Sequence, residues 1–314
     1  MIRSRRYGMR GAPAVALALI AVSGAGCSPA LDDHPWLITQ PTIVGWKADP
    51  PEVAPGATIL LEAVVLDPSA ALDATATAWT LCHTPKPPSE NRVAAPACLG
   101  PAAPPDAVGN PASIAIPTDA CRLFGPDVPQ PLPGQPTTRA RDADATGGYF
   151  QPVTVALGGA LAVGLERVTC DLPEASLADA RAFQVAYHAN QNPALVGLTF
   201  TARNGGPIDP SAIAPGTRLT IQAAWLAGAI EHFPVFDRQS RMIVDTPETL
   251  TASWYVTGGA LDQPTTEITD PAAVTTETGW TAPADIVTVE VALVLRDSRG
   301  GSDVARATLV VVPP

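Results

Sequence analysis

From residue 27 onward the sequence has no basic patch, no second long apolar run and no recognisable catalytic motif. Each absence excludes something. Nucleic-acid backbones are met by clustered Lys and Arg, and this chain carries a formal charge of -11, falling to about -15 once the four N-terminal arginines are set aside. The acidic balance therefore speaks for solubility and against a nucleic-acid partner. A membrane-spanning helix needs ~20 apolar residues, and the one apolar stretch, residues 12–22, is too short. There is no H-E-x-x-H, no G-x-S-x-G elbow and no phosphate-cradling Gly loop. No C-x-x-C pair is present, which argues against a structural zinc site. No cofactor and no catalytic residue is expected.

The N-terminus is informative. Residues 1–10 carry Arg3, Arg5, Arg6 and Arg10 and no acid, residues 12–22 read APAVALALIAV, and Ser23-Gly24-Ala25-Gly26 leads to Cys27. A basic n-region, a short h-region and small residues before a cleavage point describe an export signal. Ala25-Gly26-Cys27 resembles a bacterial lipobox, with Gly24 where Leu is usual. That resemblance implies that Cys27 is lipidated and becomes the first mature residue. Ser28 after it, by the same resemblance, favours the outer membrane. Ser4-Arg5-Arg6 resembles a twin-arginine signal; a general secretory signal is the equal alternative.

Removing residues 1–26 leaves 288 residues, enough for two domains. Besides Cys27 the chain holds Cys82, Cys98, Cys121 and Cys170. Four Cys in an exported chain read as disulfides. Three pairings are open, of which Cys82–Cys98 with Cys121–Cys170 is preferred.

A divergent repeat organises the rest. Pro41 matches Pro193, Gly45 matches Gly197, Ala54-Pro55-Gly56 matches Ala214-Pro215-Gly216, and Trp79 matches Trp254. Two copies of one structural unit follow. Leu219, Ile221, Ala223 and Trp225 alternate with Arg218, Thr220, Gln222 and Ala224, and Ile59, Leu61, Ala63 and Val65 stand at the same steps in the first copy, so both segments have strand period. Pro-Gly before each is turn punctuation. Trp79 and Trp254 should be buried on central strands, an immunoglobulin-sandwich feature. At the C-terminus, residues 286–296 and 303–312 alternate around a Gly300-Gly301 turn and predict a β-hairpin with Val287, Val289, Val291, Leu293 and Leu295 on one side.

SWYVTGG, GWTAPADIVTVEVALVLRDSRGG and DVARATLVVV together resemble the end of a PKD or related Ig-like domain, over residues 193–314. The whole layout resembles a group of uncharacterised bacterial envelope lipoproteins. The resemblance implies an all-β fold of tandem immunoglobulin/PKD-like sandwiches and an envelope address. It implies no reaction. The expected organisation is a signal peptide (1–26), a lipidated tether (27–40), a first Ig-like domain (41–175), a helical connector (176–192) and a second domain (193–314). Residues 83–136 hold 14 of the 35 prolines and predict an irregular, disulfide-pinned insertion, because Pro lacks the ladder donor. Ser176 and Asp179 form a helix start, with Leu177, Ala180, Phe183 and Tyr187 on one face over residues 176–190.

No metal site is expected. His34, His83, His188 and His232 lie apart in sequence, His188 on the connector helix and His232 in an insertion between strands. Asp142 with Asp144, and Asp297 with Asp303, are candidate Ca²⁺ pairs, though solvated turn acids are the commoner reading. The expected function is a non-enzymatic envelope module, joined to the membrane through Cys27, that binds an unidentified protein or polymer. The alternatives are an architectural spacer and an enzyme with an unrecognised site.

Overall fold

Alternating apolar runs become strands, and the strands of the two halves follow one plan. A computed structural model describes residues 34–313 apart from 70, 85–93, 100–103, 124, 126–132, 135–144, 173–174 and 203–204. Residues 1–26, Cys27, Asp142 and Asp144 lie outside the described residues. The first half contains β1 (Thr42–Asp49), β2 (Glu52–Val53), β3 (Thr58–Leu66), β4 (Ala78–Leu81), β5 (Ala107–Val108), β6 (Ala112–Ala115), α1 (Ala120–Leu123), β7 (Gly148–Leu157) and β8 (Ala160–Thr169). Helix α2 (Leu177–Ala186) follows. The second half contains β9 (Leu195–Ala202), β10 (Arg218–Trp225), β11 (His232–Asp237), β12 (Met242–Pro247), β13 (Leu250–Val256), β14 (Ala260–Leu261), β15 (Thr265–Ile268), β16 (Thr275–Thr281), β17 (Thr288–Asp297) and β18 (Ser302–Val310).

Each half is a two-sheet Ig-like sandwich. The first stacks β1-β3-β6 on β2-β8-β7-β4-β5; the second stacks β14-β16-β10-β9 on β15-β13-β17-β18. The repeat is visible strand by strand. Antiparallel β1–β3 answers β9–β10, and β4–β7–β8 answers β13–β17–β18. Val53 pairs in parallel with Val168, and Ile213 with Val311. Gly56 and Gly216 both take positive φ, +82° and +70°. There the Ala57 N–H donates to the Ala54 carbonyl and the Thr217 N–H to the Ala214 carbonyl, closing the same turn twice. Trp79 and Trp254 are fully buried and face Val155 and Leu293 in the neighbouring strands.

Disulfides join Cys82 to Cys98 and Cys121 to Cys170, both in the first sandwich. The expectation of an irregular insertion over residues 83–136 needs correction. This stretch supplies β5 and β6, which pair with β4 and β3, and the short α1. Pro104, Pro105, Pro111 and Pro117 flank these short strands, where no ladder donor is lost. The helix also ends earlier than residue 190. Ser176 and Asp179 cap it reciprocally, Phe183 is buried, and Leu177 is exposed. His188 therefore lies beyond the helix. His232 begins β11, which pairs with β12 as a hairpin packed against α2, and Phe236 of that hairpin joins Phe183 and Leu172 in a small cluster. Part of the stretch read as a tether is structural. Trp36 lies in the second core, and Leu37 bridges Val256.

Candidate binding site at the seam between the sandwiches

Strand β17 is buried on both faces rather than on one, and the reason defines the site. Residues 291–295 of β17 are buried at every position. Val291, Leu293 and Leu295 enter the second core, while Ala292 and Val294 point the other way. They meet Val44, Val64 and Leu66 of the first sandwich, with Ile38 in the same cluster. A strand apolar on both faces is a strand covered on both faces. The sandwiches thus pack side by side, and both belong to one compact unit, Pro35–Pro314. Polar contacts line the seam. Lys47 pairs with Asp303 at 2.9 Å, the Ser302 hydroxyl donates to the Trp46 carbonyl at 2.7 Å, and Asn192 donates to the Ala48 carbonyl at 2.7 Å.

At one end of the seam the β17–β18 turn enters the first sandwich and builds a buried ionic hub. Gly300, at φ +106°, lets the turn run close to Phe150 and Arg167. A carboxylate of β2, Glu52, sits at the centre with no side-chain exposure. It accepts from Arg299 Nη2 at 2.8 Å, from Arg167 Nε at 3.4 Å, from the Asn190 N–H at 2.8 Å and from the Tyr187 hydroxyl. Arg299 also donates to the His188 carbonyl, and its guanidinium lies over the rings of Tyr187 and Phe233, at 5.7 and 5.2 Å. Asp297 takes the backbone N–H groups of Arg299 and Gly301. Glu248 Oε1 stands 3.6 Å from Arg299 Nη1.

Three acids and two guanidiniums share this space. Burial, with the charge of Asp297 next in weight, lifts the Glu248 carboxyl to about 8. Burial also raises Asp297, and burial followed by the charge of Glu52 raises Tyr187. A proton on Glu248 near neutrality would leave two negative groups against two positive ones. Removing charges from water is unfavourable unless each is met by donors of good geometry, and Glu52 is met four times.

A cleft of about 490 Å³ opens beside the hub, walled by β1, β8 and the β17–β18 turn. Glu166 of β8 lies in its wall and is almost fully buried, and Trp46 donates its indole N–H to Glu166 Oε1. Gly164 admits the Trp46 ring, since a Cβ there would collide with it. Burial lifts the Glu166 carboxyl to about 8, although the indole bond pulls the other way.

Of the residues singled out from sequence, Trp79, Trp254 and the four bonded cysteines are core or staple residues. Asp297 and Asp303 do not form a pair: the first is spent on the turn amides, the second on Lys47 and the Leu195 N–H. His232 pairs with Asp245 on the exposed hairpin, at 2.8 Å. Among the described residues no group of three His, Cys, Asp or Glu side chains converges as a metal site. The hub and Glu166 escaped sequence reasoning. Glu52, Glu166, Glu248 and Arg299 come from four separate segments, and only the apolar residues Ala292 and Val294 hinted that β17 has a second partner.

No family model and no curated protein matches the chain. Among solved structures it is similar to the adhesin InvE of Yersinia pseudotuberculosis, at 12% identity and TM-score 0.21, over 85% of this chain and 58% of that one. The chain thus spans less than two thirds of that adhesin structure. It is also similar to fibronectin(III)-like modules of Clostridium thermocellum CbhA, at 9% identity and TM-score 0.23, over 87% and 94% of the two chains. At these scores no role passes from those proteins to this one.

Proposed function

We propose that this chain is an exported, lipid-anchored envelope protein whose paired Ig-like sandwiches, the second of PKD type, act as one rigid, non-enzymatic binding body. The observation that carries the reading is the seam. An apolar strip and a buried ionic hub hold the two sandwiches side by side and leave a shaped cleft between them. Preorganised surfaces bind with less loss of freedom than hinged ones. Side-by-side packing shortens the molecule, which suits a binding body better than a spacer. Two disulfides are in keeping with an oxidising compartment.

Two experiments test this. Cys27→Ala is expected to abolish acyl labelling and to release the chain from the membrane fraction; unchanged labelling and fractionation overturn the anchor. A photo-crosslinking residue at Leu165, which is 39% exposed beside the cleft, is expected to give a discrete adduct in intact cells. Absence of any adduct at this position returns the spacer reading.

A further inference from the structure

The acids of the seam are not treated alike. Glu52 has two guanidiniums, Glu248 has Arg299, and Asp297 has the amides of its own turn. Glu166 has an indole N–H on one oxygen and, among the described residues, no cation. Its other oxygen takes no donor among the described residues, and the side chain lines the cleft. Arg296, the other charged group in that wall besides Asp297, is turned to the Val44 carbonyl at 3.1 Å. Ile43, Trp46, Ala162 and Leu165 give the same cleft apolar surface. A buried carboxyl in a wall with apolar surface complements an aliphatic stem with a cationic head.

We propose that this cleft receives a basic side chain of a partner protein, an ammonium or guanidinium on its alkyl stem, with Glu166 as the counter-ion. The proposal rests on the reading of the chain as a binding body and names the chemistry of its partner. Trp46 is the positioning residue, since its indole fixes the carboxylate it donates to. The empty cleft would hold a proton on Glu166 near neutrality, in line with its raised pKa. An entering cation displaces that proton, so binding tightens as pH rises from about 6 to about 9.

The test uses the full chain, ¹⁵N-labelled, with the Trp46 indole N–H signal assigned through its loss in Trp46→Phe. The probes are N-acetyl-lysine methylamide and its uncharged counterpart N-acetyl-norleucine methylamide. Lysine is expected to shift the Trp46 signal to saturation, and norleucine to leave it in place. Glu166→Gln keeps an acceptor for the indole, and its far-UV circular dichroism is expected to match the parent. That variant should weaken the lysine response about tenfold or more, as loss of a charge-assisted contact does. No shift with lysine, an equal shift with norleucine, or a full response in Glu166→Gln overturns the proposal. An adduct at Leu165 in cells together with a failed lysine response removes the basic-side-chain pocket and leaves the binding body standing. Failure of both removes the two readings together.

Discussion

Trp79 and Trp254 occupy the same place in the two sandwiches, yet their indoles meet different surroundings. Trp79 Nε1 donates to the Gly109 carbonyl at 2.9 Å, an acceptor supplied by the Pro-rich stretch. Trp254 Nε1 is buried without an acceptor. The second sandwich accepts that cost inside a core that also holds Trp36, Trp225 and Trp280 and the apolar face of β17. The first, whose core holds Trp79 and Tyr149 with Trp46 packed against it, is stapled by two disulfides as well. One strand plan is thus stabilised by apolar burial in both copies, with covalent links added in the first. Their common boundary, the seam, is where the two copies depend on each other.

The largest expected effect comes from cutting that dependence. Arg299→Ala removes the side chain that answers both Glu52 and Glu248 and leaves two acids in a buried space. Such a change costs about 3–5 kcal/mol. Urea unfolding should show that loss, and hydrogen exchange should quicken in β2 and β8 as well as in β17. A loss below about 1 kcal/mol, or faster exchange confined to the second sandwich, would mean that the hub does not couple the two.

Next come the staples. Cys121–Cys170 spans 49 residues and Cys82–Cys98 spans 16, so by chain entropy the first contributes about 4 kcal/mol and the second about 3 kcal/mol. Replacing each pair by alanine should lower stability in that order. Exchange should rise first in β4, β7 and β8, with β13 and β17 still protected. Equal loss of protection in both sandwiches would refute the contrast drawn between them.

How much of this was legible in the sequence follows from range. The repeat, the two tryptophans and the C-terminal hairpin are written in local period and spacing, and they could be read directly. The short β5 and β6 were hidden, because two- and four-residue strands among prolines carry no periodic signal. Helix α2 was recognisable at its capping box and not at its end, since Tyr187 and Asn190 leave the helix to serve Glu52. The seam was half-written. The run VALVL in β17 is apolar on both faces, but alternation alone draws attention to one. The hub left no trace, because a Glu beside Pro50-Pro51 and an Arg in a Gly-rich turn look like solvated residues until folding brings them together.

The sharpest comparison sets Glu166 of the first sandwich against Glu248 at the head of the second. Burial lifts both to about 8, but one is met by an indole and the other by Arg299. A carboxyl whose pKa is higher in the fold than in the unfolded chain binds its proton more tightly when folded. Its contribution is complete below about 4.5 and is lost as pH rises through about 8. Gln cannot ionise, so Glu166→Gln should gain on the parent as pH climbs across that window. Urea midpoints taken near pH 4, 6 and 9 should show the difference widening. Glu248→Gln should gain by a similar amount, because its shift from 4.5 to about 8 already includes the attraction of Arg299. A pH-independent difference for Glu166→Gln would mean that its carboxyl is not held protonated by burial. A clearly smaller gain for Glu248→Gln would mean that Arg299 offsets more of the burial cost than the indole of Trp46 does for Glu166.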